Sequence, residues 1–344
     1  MTDVTVLGGG IFGLAVAWAC TRRDARVRLI EARRIGAGAS GGVTGALFPH
    51  VPENWNLKKQ FQLDSLLMAQ DWWAEIARVS GRDPDYARVG RVQPLADAAA
   101  VARAREHSAG AAENWLGAAC WELRESVSGL RVESPAGAVV HDTLSARLNP
   151  RRACAALAQA LREAGAELCE EGTGTAHGVV VWATGWEGLA ALDGKGGRPV
   201  GVGVKGQAML LAHDAGAAPL VHAGDLYLVP QADGTLALGG TSEREFTAPT
   251  GTDERLDDLH ARAVALCPEI AGAQVIERWA GVRPRARSRA PMLGPWPGRP
   301  GHYIANGGFK IGFAVAPMVG EVMAELLLEG RDTIPPGFRV EDSL

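Results

Sequence analysis

Val4-Thr5-Val6-Leu7-Gly8-Gly9-Gly10-Ile11-Phe12-Gly13, with Glu31 eighteen positions further on, decides how the chain begins to fold. An apolar run gives way to a glycine turn, then to apolar residues at helical spacing from Ile11 to about Arg22. A second strand, Val27 to Ile30, ends in the acid. Gly8 permits the tight turn, Gly10 lets a pyrophosphate approach the backbone, and Gly13 lets the helix lie close on the strand. The phosphates would meet the helix N-terminus, where unpaired N–H groups and the helix dipole favour negative charge. Glu31 lies at the spacing for a ribose diol, and its charge argues against a 2′-phosphate. Strand, turn, helix, strand and acid in this order predict a dinucleotide site.

Working outward, Ile35 to His50 is dense in small residues, as expected of backbone pressed against a ligand. Helices are predicted at Leu57–Val79, near Ala98–Ala112, and at Ala153–Ala164, the last with Asn149 as N-cap and Pro150 at its first position. Trp72 and Trp73 read as core packing. Val179 to Gly185 is a buried strand ending in a turn, so nucleotide-type α/β structure resumes after an interruption. Val200 to Ser242 is strand-rich, with strands at Gly203–Leu211, Leu226–Pro230 and Leu236–Gly239. A helix at Glu254–Leu266 takes Asp253 as N-cap. Val275–Arg283 and His302–Ala305 read as strands, and a final helix runs from Ala316 to Leu328, stopped by Gly330.

The bulk numbers bound the function. A chain of 344 residues is long enough for two cored domains, and 47% hydrophobic with 22% charged residues describes an ordinary globular protein. The net charge of -4 offers no general attraction to nucleic acid or anionic membrane. Five cysteines, at 20, 120, 154, 169 and 267, stand singly and without metal-ligand spacing, so no metal site is expected. They fit a reducing compartment. The start, directly in a strand, leaves no cleavable signal, and no apolar stretch is long enough to span a bilayer, so the expectation is cytoplasmic.

Four segments together resemble the D-amino-acid oxidase family, and within it glycine oxidases. They are Gly8–Gly13 with Glu31; Gly38-Ala39-Ser40-Gly41 running to Gly45-Ala46-Leu47-Phe48-Pro49; Val181-Trp182-Ala183-Thr184-Gly185; and a C-terminal series. That series comprises Trp279-Ala280-Gly281-Val282-Arg283-Pro284, Pro291-Met292-Leu293-Gly294 and Asn306-Gly307-Gly308-Phe309-Lys310-Ile311-Gly312 with Ala316-Pro317. The resemblance implies an α/β fold. A discontinuous Rossmann-like FAD-binding domain (1–84, 141–199, 278–344) would be joined to an inserted substrate domain of antiparallel sheet plus helices (85–140, 200–277).

FAD is the implied cofactor, and no second glycine fingerprint or paired cysteine offers an alternative source of electrons. Some relatives attach flavin to a C-terminal cysteine. The last cysteine here, Cys267, precedes that region, so binding is expected to be noncovalent. The implied cofactor contacts begin with Gly8, Gly10, Ile11, Phe12 and Gly13, then Glu31, Ala32 and Arg33. They continue through Ala39, Ser40, Gly41, Gly45, Ala46 and Leu47, then Ala183, Thr184 and Gly185. The last group is Gly307, Gly308, Phe309, Lys310, Ile311 and Gly312.

The same resemblance implies oxidation of a small amine or amino acid, of the glycine, sarcosine or D-amino-acid type, with O2 or another acceptor taking the electrons. Hydride would pass from substrate Cα to flavin N5, and the imine would hydrolyse to an oxo acid. Arg283 matches the family's carboxylate-binding arginine, whose planar fork suits bidentate pairing. Tyr227 matches a tyrosine whose hydroxyl reaches the same carboxylate. Lys310 stands where glycine-oxidase relatives carry arginine, which removes the fork and argues against glycine as the preferred substrate. His50, at the end of the glycine-rich loop, reads as an ordinary loop histidine. Arg285, Arg287 and Arg289 follow Arg283 and keep an alternative open: an FAD-dependent enzyme removing a carboxymethyl group from a modified tRNA base. The charge balance argues against that partner, and the sequence leaves the oligomeric state open.

Overall fold

A computed structural model describes residues 2–192 and 197–344. In chain order the first elements are β1 (Asp3–Leu7), α1 (Ile11–Thr21), β2 (Arg26–Ile30), β3 (Ala46–Leu47), α2 (Leu57–Ser80), β4 (Arg91–Pro94), α3 (Ala98–Asn114), β5 (Trp121–Arg124) and β6 (Val139–Asp142). There follow β7 (Ala146–Arg147), α4 (Pro150–Glu163), β8 (Glu167–Cys169), β9 (Val179–Trp182), α5 (Gly185–Ala190), β10 (Gly201–Ala212), β11 (Leu220–Ala223) and β12 (Leu226–Pro230). The chain closes with β13 (Leu236–Gly239), α6 (Glu254–Leu266), β14 (Gln274–Ala286), β15 (Met292–Pro295), β16 (His302–Asn306) and α7 (Gly312–Ala324).

Two sheets organise these elements. A six-stranded sheet has the order β15-β16-β9-β1-β2-β8, parallel except for the antiparallel edge strand β15. The fingerprint strand β1 is therefore central, with Val6 opposite Leu29 on one side and Val181 on the other. Central parallel strands are covered on both faces, which is why β1 is buried from Val4 to Val6 and β9 reads as a continuous apolar run. Helix α1 is buried from Ile11 to Cys20 and packs against α7 and α4. Trp72 and Trp73 of α2 are core, meeting edge to face with centroids 4.7 Å apart.

The second sheet has eight strands in the order β14-β10-β13-β12-β11-β4-β6-β5. Its pairings are antiparallel apart from β4 with β11. Strands β6 and β14 cross residues 141 and 278, where the sequence reading divided the chain, and each belongs whole to this sheet. A hydrogen-bonded ladder holds such strands together, and nothing in local composition marks them.

Capping follows the sequence. Asn149 accepts from the Arg151 and Arg152 backbone N–H groups ahead of α4, and Asp253 accepts from Arg255 ahead of α6. The last helix departs from expectation. It begins at Gly312, four residues before Ala316, and contains Pro317. A proline tolerated near a helix start hides that start from sequence reading, because proline usually marks the first turn. Among the described residues no helix is long and apolar enough to cross a membrane.

Candidate active site

One cleft of about 410 Å³ lies where both sheets contribute residues. Gly10, Ile11 and Phe12 border it at the start of α1, and Ala39 and Ser40 border it from the glycine-rich loop. Helix α1 has no side-chain cap, so its first N–H groups are free for a ligand apart from Ile11 N, which donates to Ser40 Oγ at 3.0 Å. A Cβ on Gly13 would stand 1.9 Å from the Gly8 carbonyl oxygen, so the fingerprint glycines are needed for helix–strand contact. Gly8 and Gly13 thus support the turn from behind instead of bordering the cleft.

Glu31 takes a role the sequence did not suggest. Its Oε2 accepts from Gly9 N at 2.7 Å and its Oε1 from Arg33 N at 3.0 Å. The acid therefore fastens the glycine turn, and an ionised carboxylate keeps lone pairs for a further donor. Ala32, Arg33, Gly41, Leu47, Thr184, Gly185 and Gly307 are not among the residues bordering the cleft, and Leu47 is wholly buried. Gly45, Ala46, Ala183, Gly308, Phe309, Lys310, Ile311 and Gly312 do border it. The N-terminus of α7 opens onto the cleft and likewise has no side-chain cap. Two uncapped helix ends, a glycine cradle and a long wall of small residues fit the phosphates and flat ring of FAD. None of the five cysteines borders the cleft.

The opposite wall is one transverse row of the eight-stranded sheet. His222 pairs in register with Tyr227, Tyr227 with Gly239, Gly239 with Ala208, and Ala208 with Trp279. All five border the cleft, and Gln93 extends the row through Nε2 to His222 Nδ1 at 3.1 Å. At its centre Gly239 admits Thr44, whose Oγ1 would stand 2.8 Å from a Cβ on that glycine. His222 and Tyr227 stack at 4.9 Å with an interplanar angle of 4°, and Phe48 packs against both. The other His222 nitrogen, Nε2, lies 2.9 Å from the Gly224 carbonyl, an acceptor, so Nε2 carries the proton. Burial, with nearby Arg91, pushes the His222 pKa down to about 4.

Arg283 projects from β14 across the sheet. Its Nη1 donates to the Thr241 carbonyl at 3.0 Å, and the guanidinium lies over Gly206. Burial lowers its pKa, and no carboxylate lies within salt-bridge distance among the described residues. Thr241 is held in turn by a buried network of Gln207, Glu243 and Lys205. Tyr227 stands in the same wall, its pKa raised by burial and opposed by the Arg283 charge. Lys310 borders the cleft and keeps an exposed side. Its Nζ is 6.0 Å from the Tyr227 ring centroid, and burial together with Arg283 lowers its pKa.

His50 is exposed at the edge of the cleft, and Gln62 pins its loop by accepting from His50 N and donating to the Phe48 carbonyl. The arginines after Arg283 do not form a strip. Arg285 lies over the Phe309 ring at 5.3 Å, Arg287 donates to the Leu344 carbonyl, and only Arg289 is left on an exposed turn. Sequence reading passed over Arg91, Gln93, His222, Gly206 and Thr241. Arg91, Gln93, His222 and Gly206 reach the site through sheet pairing, and Thr241 through its hydrogen bonds to Gln207, for which local sequence carries no signal.

Comparison with known proteins agrees with this geometry. The chain is 28% identical to a glycine oxidase from Pseudomonas aeruginosa, with 96% of each chain covered. It is 26% identical to a glycine oxidase from Geobacillus kaustophilus, covering 96% of this chain and 94% of that one. The crystal structure of glycine oxidase from Geobacillus kaustophilus superposes with a TM-score of 0.82 at 22% identity, covering 97% and 96% of the two chains. The family model described as DAO, FAD dependent oxidoreductase, matches residues 3–326. Matched over nearly all of its length, the chain belongs to the DAO family of FAD-dependent oxidoreductases.

Proposed function

We propose that the FAD-dependent amine oxidation of this family is directed here at a small primary or secondary amine bearing a carboxylate. The observation that carries the reading is Arg283, a part-buried guanidinium that has no carboxylate partner among the described residues and opens to a cleft beside Tyr227. A buried cation lacking a counter-ion is costly, and an anionic substrate group removes that cost. The relatives named glycine oxidase support the same chemistry.

Bound noncovalently, FAD supplies the two-electron acceptor. Arg283 and the Tyr227 hydroxyl hold the substrate carboxylate, which fixes Cα for transfer of its hydrogen. Lys310 and Arg283 place positive charge near the substrate nitrogen, lowering the pKa of its ammonium and favouring the neutral amine. Loss of the Cα hydrogen with its electron pair, and of a nitrogen proton, leaves an imine that water hydrolyses to an oxo acid and ammonia or an amine. The uncapped N-terminus of α7 favours negative charge where it faces the cleft. Dioxygen or another acceptor then reoxidises the enzyme, in a cytoplasmic setting that the five free cysteines suit.

The test is anaerobic titration of the FAD-loaded enzyme with glycine, sarcosine and D-amino acids. Bleaching of the flavin by one of them supports the reading, and the speed of recolouring in air sorts oxidase from dehydrogenase. A yellow enzyme that no carboxylated amine bleaches rejects it. The carboxymethyl-tRNA alternative is not favoured, since two of its three arginines, Arg285 and Arg287, are engaged within the fold.

A further inference from the structure

The cleft wall holds a second arginine. Arg91 of β4 is 3% exposed, and the little surface it keeps borders the cleft. Its guanidinium lies over the Phe48 ring at 4.5 Å and over Trp121 at 5.4 Å. Asp142 engages it through Nε alone, at 2.7 Å, while the other Asp142 oxygen accepts from Ser145 N. An arginine serving only a buried ion pair presents its fork to the carboxylate, spending two donors on two oxygens. Here the carboxylate grips the side of the guanidinium, and no hydrogen bond within the described residues occupies Nη1 or Nη2.

The surroundings indicate what those donors await. Among the described residues three cations, Arg283, Lys310 and Arg91, border the cleft, and of these only Arg91 has a carboxylate within salt-bridge distance. His222, between them, is neutral and stacked. One substrate carboxylate on Arg283 leaves the wall with surplus positive charge. Strand β4 lies two strand steps from β12, which carries Tyr227, a span of about 10 Å. Phe48 and the His222–Tyr227 stack fill that span with ring faces suited to a methylene chain.

We propose that Arg91, seated on Phe48, is a distal anion subsite, and that the preferred substrates are amines carrying two carboxylates separated by a methylene spacer. Acidic amino acids and N-carboxyalkyl amines are the two forms of that class. The proposal rests on Arg283 as the proximal carboxylate partner.

Non-reacting acids test it through the spectrum of FAD in the intact enzyme. Acetate, malonate, glutarate, adipate and the monoamide glutaramate are titrated at constant ionic strength. Glutarate or adipate is expected to bind at least about tenfold more tightly than acetate and glutaramate, the range for hydrogen bonds to a charged group. The double variant Arg91→Met/Asp142→Asn removes the charge without stranding Asp142 and keeps the acceptor for Ser145 N. Its dicarboxylate advantage should fall to within about twofold, the scatter of such energies.

Equal binding of acetate and the long diacids by the native enzyme overturns the proposal. So does glutaramate matching glutarate, or an advantage that survives the double variant. If the variant fails to fold, the native series with glutaramate decides alone. Bleaching by D-alanine without any diacid preference sinks the distal subsite and leaves the proposed function standing. Acetate that leaves the flavin spectrum unmoved, with no carboxylated amine bleaching it, sinks both.

Discussion

Arg283 occupies the space that a side chain on Gly206 would fill: a Cβ there would stand 2.0 Å from Nη1 of the guanidinium. Gly206 faces Gly281 across the β10–β14 ladder, so the sheet is stripped of side chains where the arginine crosses it. The obstructed atom is the end of a flexible side chain, so Gly206→Ala should displace Arg283 without unfolding the sheet. Loss of one charge-assisted hydrogen bond corresponds to about 10- to 100-fold in binding. We expect KM for carboxylated amines, and Kd for acetate, to rise by that factor while Tm moves by a few degrees at most. A variant with native KM would show that the guanidinium position is immaterial.

Arg283 itself should not tolerate exchange for another cation. Arg283→Lys keeps charge but loses the planar fork and the reach to the Thr241 carbonyl. Removing the charge in Arg283→Met should lower kcat/KM by about 10²- to 10³-fold, the cost of truncating one side of a buried charge pair. The readout is specific: oxidation of an amine lacking a carboxylate should change far less than that of its carboxylated analogue.

Two glycines near the cofactor end should behave oppositely. Gly13→Ala forces Cβ to within 1.9 Å of a backbone oxygen, which cannot rotate away, whereas a Cβ on Gly38 meets nothing within 4 Å. Gly13→Ala is expected to yield colourless or insoluble protein. Gly38→Ala should retain one FAD per chain, measured by absorbance after denaturation. Equal FAD content in the two would contradict the close packing of α1 on β1.

His222 sets an acid limit. Its folded pKa is about 4, below the ordinary histidine value, because burial and Arg91 disfavour the imidazolium. Between that value and the unfolded pKa of about 6.5, the unfolded chain binds the extra proton, so stability rises with pH. The contribution is intact above about pH 6.5 and is lost as pH falls to about 4, amounting to at most about 3 kcal/mol. Urea midpoints between pH 7 and pH 4.5 check this. His222→Phe, which keeps a ring between Phe48 and Tyr227, should flatten the slope by up to one proton.

How much of this was legible follows from how local each signal is. The strand–turn–helix at Gly8–Gly13 is encoded by steric needs of adjacent residues, and so were the caps at Asn149 and Asp253. Arg283 and Tyr227 were singled out through motif resemblance, and both border the cleft. The row from His222 to Trp279 was not, because its five strands pair in the order β14-β10-β13-β12-β11, which is not chain order, and register leaves no mark in either segment. Glu31 was placed on a ribose by spacing alone, whereas its hydrogen bonds to Gly9 and Arg33 depend on the folded turn. Pro317 misplaced the start of α7 because a helix can absorb a proline close to its N-terminus.

Glu243 offers a way to separate stability from positioning. It is buried, with Lys205 Nζ 3.3 Å from Oε2 and Gln207 Nε2 3.0 Å from Oε1. Burial works to raise its pKa, but hydrogen bonds from Thr241 and Gln207 and the Lys205 charge hold it below the ordinary carboxylate value. Glu243→Ala leaves Lys205 buried with only Asp253, at 3.8 Å, and should cost about 3 kcal/mol in urea unfolding. Lys205→Met/Glu243→Met replaces both charges with apolar volume and should recover most of that stability. It should not recover substrate binding. Thr241 Oγ1 still lacks the carboxylate that orients it, and the Thr241 carbonyl is what Arg283 holds. A raised KM at near-native stability in the double variant would show the network positioning Arg283; a native KM would confine it to the fold.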